Sequence, residues 1–409
     1  MTPEWKHAFR FAASEADRLG LELAIASSPG WSETGGPWVP PEDGLKKIVW
    51  SGTEIVGGRR FAGKLPSPPS VTGPFQAIAA APDITDQMTG VAPKPKPGYY
   101  ADVAVLAFPV DAMPALPTPR IDSSDAQNIP ATAMLDDDAK TVVELKPAVG
   151  GKLPWLEFSY PQPQTIRSLT MFIPGAASIY SESAIKPTLE ASGDGTTWQN
   201  VTDVVLGPIP TTASFAPMTA RHFRLTFATK PMNMAAMGAA APGVDTSFLA
   251  KMYAGLGGAT ALKIAELRLS PEPQVDRFEA KAGFQLVRDY YALSQGVPDT
   301  AGVAPSHVLD LTSRLRPDGT LDWAPPKGRW RVVRIGSSLL GTTNHPAPAE
   351  ATGLEVDKFD GPAVRRYIDH YLGMYRDTVG PGLIGAHGVR ALLTDSIEVG
   401  AANWTPQML

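Results

Sequence analysis

Apolar side chains recur at helical spacing over residues 3–19, at Phe9, Ala12, Ala13, Ala16 and Leu19, with Thr2 placed to cap the helix and Gly20 to end it. The short apolar run 21–26 then reads as a buried strand. Residues 46–55 and 99–109 read as two further strands, joined by a Pro- and Gly-rich connection, 64–98, that is expected to run over the surface. Composition shifts at residues 115–119, a linker signal. Over residues 131–271, short alternating or apolar runs (155–160, 168–173, 188–192, 222–226 and 264–269) are separated by turn signals, as in an all-β sandwich. Residues 232–258, rich in small side chains and Met, read as a mobile insertion within it. Helical periodicity returns over 274–292, through Phe278, Phe284, Leu286, Val287 and Tyr291, and over 360–377, through Val364, Tyr367, Ile368, Tyr371 and Met374. Residues 330–335 and 389–394 are strand signals between and after these helices.

Helix–strand alternation on both sides of a sandwich predicts α/β plus all-β architecture, a partial (β/α)8 TIM-type barrel interrupted by a β-sandwich. The expected divisions are 1–114 for the first part of the barrel with associated strands, 115–272 for the inserted sandwich, and 273–409 for the barrel's continuation to about its fourth strand. A chain that opens on the helix of a strand–helix unit is expected to lack the strand before it.

Composition narrows the chemistry. The 409 residues carry a net charge of −5, and no run of Lys and Arg interleaves with aromatics, so nucleic acid is not an expected partner. The absence of cysteine removes disulfides, thiolate metal sites and thiol nucleophiles together. No secretory signal is visible at the start, and no apolar stretch is long enough to span a bilayer. The 41 Pro and 38 Gly favour many turns around strands. The six histidines form no metal-spaced pair, Gly255-Leu-Gly-Gly258 lacks a phosphate-binding lysine, and no serine sits in a nucleophile elbow.

Three segments that follow apolar strands carry the candidate chemistry, because the strand fixes the backbone while the following loop faces substrate. In Val389-Arg-Ala-Leu-Leu-Thr-Asp-Ser-Ile-Glu-Val-Gly400, Asp395 and Glu398 are strand-end acids, with Asn403 and Trp404 just beyond. They suit acid–base work, or else cap a helix or pair with an arginine. The loop 344–358 holds Glu350, Glu355, Asp357 and Lys358, which could fix sugar hydroxyls or an oxygen-ligated cation, or simply be solvated. In Ser27-Ser-Pro-Gly-Trp-Ser-Glu-Thr-Gly-Gly-Pro-Trp38, Trp31 and Trp38 beside glycines suit stacking on a sugar face, or else cover the barrel end.

Taken together, Gly30-Trp-Ser-Glu-Thr-Gly-Gly-Pro-Trp38, Ala349-Glu-Ala-Thr-Gly-Leu-Glu-Val-Asp-Lys358 and Thr394-Asp-Ser-Ile-Glu-Val-Gly-Ala-Ala-Asn-Trp-Thr405 resemble, in the same order, segments of the α-L-rhamnosidases of glycoside hydrolase family 106. Tyr100-Ala-Asp-Val-Ala-Val-Leu-Ala-Phe-Pro109 and Thr320-Leu-Asp-Trp323 are similar to that family as well. Within the sandwich, Leu135-Asp-Asp-Asp138, Ser192-Gly-Asp-Gly-Thr-Thr-Trp198 and Ala265-Glu-Leu-Arg-Leu269 resemble the discoidin-like, galactose-binding-type jelly roll.

The resemblance implies hydrolysis of terminal α-L-rhamnose from glycans or glycosides with inversion, through one carboxylic acid and one carboxylate base. Glu398 matches the acid position. Trp31, Trp38, Glu355, Asp357, Lys358, Asp395, Asn403 and Trp404 are the implied substrate contacts. Calcium near the site is implied, with no ligands assigned, and no organic cofactor. The base is expected on a strand beyond this chain, which alone is then expected to be inactive. A periplasmic or secreted location is implied for the full-length family member. Two other readings stand beside this one: a carbohydrate-binding protein acting through the jelly roll, and a fragment without function of its own.

Overall fold

The structure, a computed structural model, describes all residues except 30–31, 81–94, 112–114, 128, 137, 148–151, 178–181, 230–260, 288, 295–301, 345–346, 395–396, 398 and 409. The insertion expected at 232–258 lies wholly outside the described residues. Contacts divide the chain into two compact units, Met1–Pro109 with Val308–Leu409, and Val110–His307.

The first unit opens on helix α1 (Pro3–Arg18), where the Trp5 N–H donates to Thr2 Oγ1 at 3.2 Å and Pro3 sits where no N–H is needed. Gly20 ends it at φ +70°. Ala13 and Ala16 are buried, whereas Ala12 and Leu19, expected on the same face, are exposed. Strands β1 (Leu23–Ala26), β2 (Gly35–Gly36), β3 (Lys46–Val56), β4 (Phe61–Lys64) and β5 (Tyr100–Val110) follow. The connection expected on the surface is anchored at two of its described residues: Leu65 is buried in the core beside β4, and buried Phe75 meets Trp50 edge-on at 5.7 Å.

The second unit is antiparallel throughout its described strands. A six-stranded sheet joins β6 (Arg120–Ser123), β8 (Trp155–Phe172), β9 (Ile185–Ser192), β10 (Gln199–Asp203), β11 (Thr211–Thr229) and β13 (Glu266–Ser270). A separate pair joins β7 (Val143–Leu145) to β12 (Leu262–Ile264). Alternate residues of these strands, among them Leu156, Phe158, Leu189, Phe223, Leu225 and Leu267, form one core. The runs 155–160 and 168–173 belong to the single strand β8, since the intervening Pro161-Gln-Pro-Gln164 stays extended while β11 absorbs the mismatch in two register shifts.

The helix expected over 274–292 is not formed. Among its described residues only one turn, α2 (Phe278–Lys281), and a 3-10 turn at Tyr291–Ser294 are helical. Gly283 takes φ +73°, its N–H bonds the carbonyl of Ala280 at 3.1 Å, and the Phe284 N–H bonds that of Glu279 at 2.9 Å. This is a Schellman stop, placed where periodicity alone predicted continuation. Buried Glu279 is spent on β11, accepting from the Thr212 N–H and hydroxyl at 3.0 and 2.7 Å.

On returning to the first unit, β14 (Leu309–Asp310) pairs with β5 at Leu309↔Ala107, so the chain re-enters this sheet beside the place where it left. Strand β15 (Thr320–Trp323) pairs with β4, and β16 (Arg329–Leu339) with β3, both antiparallel. The four-stranded order is β14-β5-β16-β3. Strand β17 (Leu354–Glu355) pairs with β2. Helix α3 (Gly361–Val379) is capped by Asp360, which accepts from the Ala363 N–H at 3.3 Å, and turns Tyr367, Tyr371 and Tyr375 inward at four-residue spacing. Trp5 and Phe9 of α1 pack on Tyr375. Finally, β18 (Val389–Leu393) pairs in parallel with β1.

The barrel expectation is therefore corrected in part. The strand at 330–335, expected in a parallel barrel, is antiparallel to β3 along its full length, because both are long and their hydrogen bonds are satisfied from Arg329↔Val56 to Leu339↔Lys46. Strands β1 and β18 pair in parallel, and among the described residues only α1 and α3 are helices of more than two turns.

Lys47 on β3 is fully buried, its ammonium donating to the carbonyls of Val71 at 2.8 Å and Leu339 at 3.2 Å. Burial lowers its pKa to about 8. The folded state thus binds fewer protons than the unfolded chain between pH 8 and the ordinary lysine value, so Lys47 makes stability rise across that window. Relative to Lys47→Met, wild type should gain roughly 3 kcal/mol between pH 7 and pH 10.5. Urea unfolding of both proteins at the two pH values reads this directly, and a pH-independent difference would contradict it.

Candidate active site

The loops after β1, β16 and β18 meet at one end of the first unit. The Ser27 N–H donates to Leu393 O at 2.8 Å, prolonging the parallel pair. Strand β2 pairs with β17 at Gly35↔Glu355 and Gly36↔Leu354, and the Val356 N–H reaches Thr34 O at 3.1 Å. The segment after β18 lies along β3: the Asn403 N–H donates to Lys46 O at 3.3 Å, and Asn403 Oδ1 accepts from the Ile48 N–H at 2.9 Å. The Thr342 hydroxyl also holds Val399 O at 3.2 Å.

Glycine is required at this junction because the backbones approach closely. A Cβ on Gly36 would lie 2.6 Å from the Trp38 ring, and one on Gly35 would lie 2.7 Å from Asn344 Cβ and 2.8 Å from Glu355 Oε1.

Glu355 is 0% exposed and ion-paired with Lys358 at 2.5 Å. The same ammonium donates to the carbonyl and hydroxyl oxygens of Thr34, tying the first loop to the second. Burial raises the Glu355 pKa, and Lys358 opposes the rise. Asp357, also buried, accepts from the Phe359 N–H at 3.1 Å and lies 3.9 Å from the Lys46 ammonium. Burial raises Asp357 and lowers Lys46, each offset by the other's charge. Trp38 packs on the α3 rings, 5.3 Å from His370 and 6.0 Å from Tyr371. Asn403 and Trp404 are buried against β3, where Trp404 bridges to Lys46. Trp31, Asp395 and Glu398 lie outside the described residues.

Five of the residues proposed from sequence thus come together with three loops: Glu355, Asp357, Lys358, Asn403 and Trp404. Sequence reasoning missed Lys46, which looked like the polar start of an ordinary strand, and the pair of Asp43 with Arg366, whose bidentate contact at 2.5 and 2.9 Å spans 323 positions. It also missed buried Asn344, whose side chain accepts from the Gly353 N–H and donates to the carbonyls of Pro29 and Ala351. Its one sequence signal is position, at the head of a loop already suspected.

Several buried polar atoms here complete no hydrogen bond within the protein: Glu33 Oε2, Trp38 Nε1, Glu355 Oε1, Asp357 Oδ2 and Thr405 Oγ1. The hydroxyls of Ser32 and Thr405 approach the Glu355 and Asp357 carboxylates and favour their charged forms without satisfying these atoms. The calcium that the resemblance implies finds no home among the described residues, where no three His, Asp or Glu side chains gather for a metal. Asp43, Glu355 and Asp357 each face a cation of the protein, and Asp360 caps α3.

The whole sequence, residues 1–409, matches the family model described as alpha-L-rhamnosidase, and the chain belongs to glycoside hydrolase family 106. Among solved structures, the rhamnosidase from Novosphingobium sp. PP1Y is 48% identical with a TM-score of 0.82, over 100% of this chain and 34% of that one. A Formosa agariphila protein named "Putative beta-glucuronidase" is 22% identical over 405 residues, 99% of this chain and 19% of that protein. The chain therefore spans about a third of the solved relative and about a fifth of the curated one.

Replacing Lys358 by Met leaves Glu355 buried without its cation, at a cost of about 3–5 kcal/mol near neutral pH. The loss should shrink as pH falls toward the ordinary carboxylate range, because a protonated Glu355 no longer needs the ammonium. Urea unfolding of Lys358→Met against wild type at pH 7 and pH 4.5 checks both the size and the trend.

Proposed function

We propose that this chain forms part of the catalytic region of an α-L-rhamnosidase that removes terminal rhamnose with inversion, Glu398 acting as general acid. The observation that carries this reading is the junction itself: three loops with the family's motifs meet around two buried carboxylates, where several buried polar atoms complete no hydrogen bond within the protein. A sugar offers hydroxyls on several sides. Glu355, Asp357 and Lys358, buried and paired as they are, would fix the loops that meet the sugar, and Asp395 and Asn403 are proposed as further contacts. Trp31 is proposed to present aromatic surface, with Trp38 packed on α3 and Trp404 buried against β3.

In an inverting reaction the acid protonates the departing glycosidic oxygen while a second carboxylate, about 6.5–9.5 Å away, takes a proton from the attacking water. That base is not assigned to any residue of this chain. Glu398 follows β18, whose Leu392 and Leu393 are exposed at 37% and 63% although parallel strands ordinarily have both faces covered. The parallel pair with α1 and α3 fits the beginning of a (β/α)8 barrel that further strands would continue, and the second unit fits an inserted jelly roll.

A second reading, sugar binding through that jelly roll, draws on an open cleft lined by Ser192, Trp198, Gln199 and Thr219. Arg224 already covers one face of Trp198 at 4.0 Å, so only the other face is left for a ligand.

The test is release of aglycone from aryl α-L-rhamnosides by a polypeptide extended to the length of the solved relative. Glu398→Gln should lower kcat by about 10²–10⁴-fold for a poor leaving group. Much less should be lost with dinitrophenol, which departs without protonation. Equal activity of Glu398→Gln and wild type on the poor leaving group would sink the assignment.

A further inference from the structure

The end of β3 and β16 remote from the candidate active site is strongly cationic, although the chain as a whole carries a net charge of −5. Arg59 and Arg60 in the turn after β3, Lys64 on β4, Arg314 and Arg316 before β15, and Lys327 and Arg329 at the head of β16 are all exposed. Strand pairing gathers them: Lys64 lies opposite Thr320, Val56 opposite Arg329, and Arg60 reaches Asp322. The acids nearby are outnumbered and engaged. Asp322 is shared by Arg60 and, at 3.6 Å, Arg316, while Glu54 is shared by Arg329 at 2.5 Å and Arg331 at 3.0 Å. Asp310 is turned onto the Thr312 N–H and hydroxyl, and Asp318 onto the Thr320 N–H.

We infer that this surface docks the uronate-bearing part of a polymeric glycan, an inference that rests on the reading of the chain as a glycan hydrolase. Two features favour carboxylates over nucleic acid. The arginines here already present forks to carboxylates, Arg60 gripping Asp322 through Nε at 2.6 Å and through Nη2. In addition, Trp323 and Trp330 are buried in the core beneath, so the tryptophans of this region offer no platform on which bases could stack. The ladder runs eleven residues from Lys46↔Leu339 beside the candidate site to Val56↔Arg329 at the cationic end. At about 3.3 Å per residue the two ends are about 33 Å apart, so the docked uronates belong to a stretch of polymer well away from the bond that is cut.

The chain as it stands, run in affinity electrophoresis through gels containing polygalacturonate, should be retarded at low salt and released as salt screens the patch, while dextran should not retard it. The variant Arg60→Gln with Arg316→Gln and Lys327→Gln should bind about fivefold more weakly for each charge removed. Asp322→Asn, which frees two arginines, should bind more tightly, a gain that misfolding cannot imitate. Unretarded wild type, unchanged binding in both variants, or binding of DNA or dextran sulfate as strong as that of polygalacturonate would each overturn the inference. Turnover of an aryl rhamnoside by the extended protein is read separately, so a failure of the hydrolase reading is distinguishable from a failure of the docking surface.

Discussion

A carboxylate with no exposure to solvent is tolerable only where a cation and hydrogen-bond donors meet it, and at Glu355 that requirement organises the end of the first unit. Lys358 answers the charge and in the same geometry holds Thr34, so the loops after β1 and β16 cannot separate without stranding a buried ion. Asp357 and Lys46 repeat the arrangement one step along and bring in β3, to which Asn403 and Trp404 are attached. Arg366 on Asp43 secures α3 to the same region. Buried pairs of this kind add little net stability over apolar packing, since desolvation offsets most of the attraction. What they supply here is definition: each loop has one position in which its charges are answered.

Local elements were legible in the sequence where a single period governed them. Helices α1 and α3, and strands β3, β5 and β18, lie within a few residues of where hydrophobic spacing and capping residues put them. Pairing was not legible. The strand at Trp330 looked like a barrel strand because it lies between helical signals, yet its partner is the equally long β3, nearly three hundred positions away, and the two run antiparallel. Nothing local distinguishes those outcomes. The helix expected through Phe284 failed at Gly283, a residue whose left-handed conformation is available to glycine at little cost and which periodicity does not weigh.

The candidate site was legible as three loops but not as a set of contacts. Glu355, Asp357 and Lys358 could be named because acids and a lysine crowd a short segment after a strand. That Lys358 would serve Glu355 while Lys46 served Asp357 depends on β2 meeting β17, and hence on Gly35 and Gly36 lacking side chains. Glycines in a motif with two tryptophans read equally well as room for a sugar. In the structure they are room for Glu355, Asn344 and Trp38.

The division of labour along β3 and β16 follows from the same ladder. At one end Lys46 and Lys47 are buried and committed to carbonyls and to Asp357, so their charge is unavailable to solvent. At the other, arginines and two lysines stand exposed around too few acids, and their field extends about a Debye length, on the order of 10 Å, into solvent. Buried charge fixes loops, and exposed charge attracts from a distance. A rigid antiparallel ladder holding the two apart allows a polymer to be captured at one end without disturbing the electrostatics that set proton affinities at the other. Because about 33 Å separates the ends, neutralising the exposed cations should leave the environments of Glu355 and Asp357 as they are.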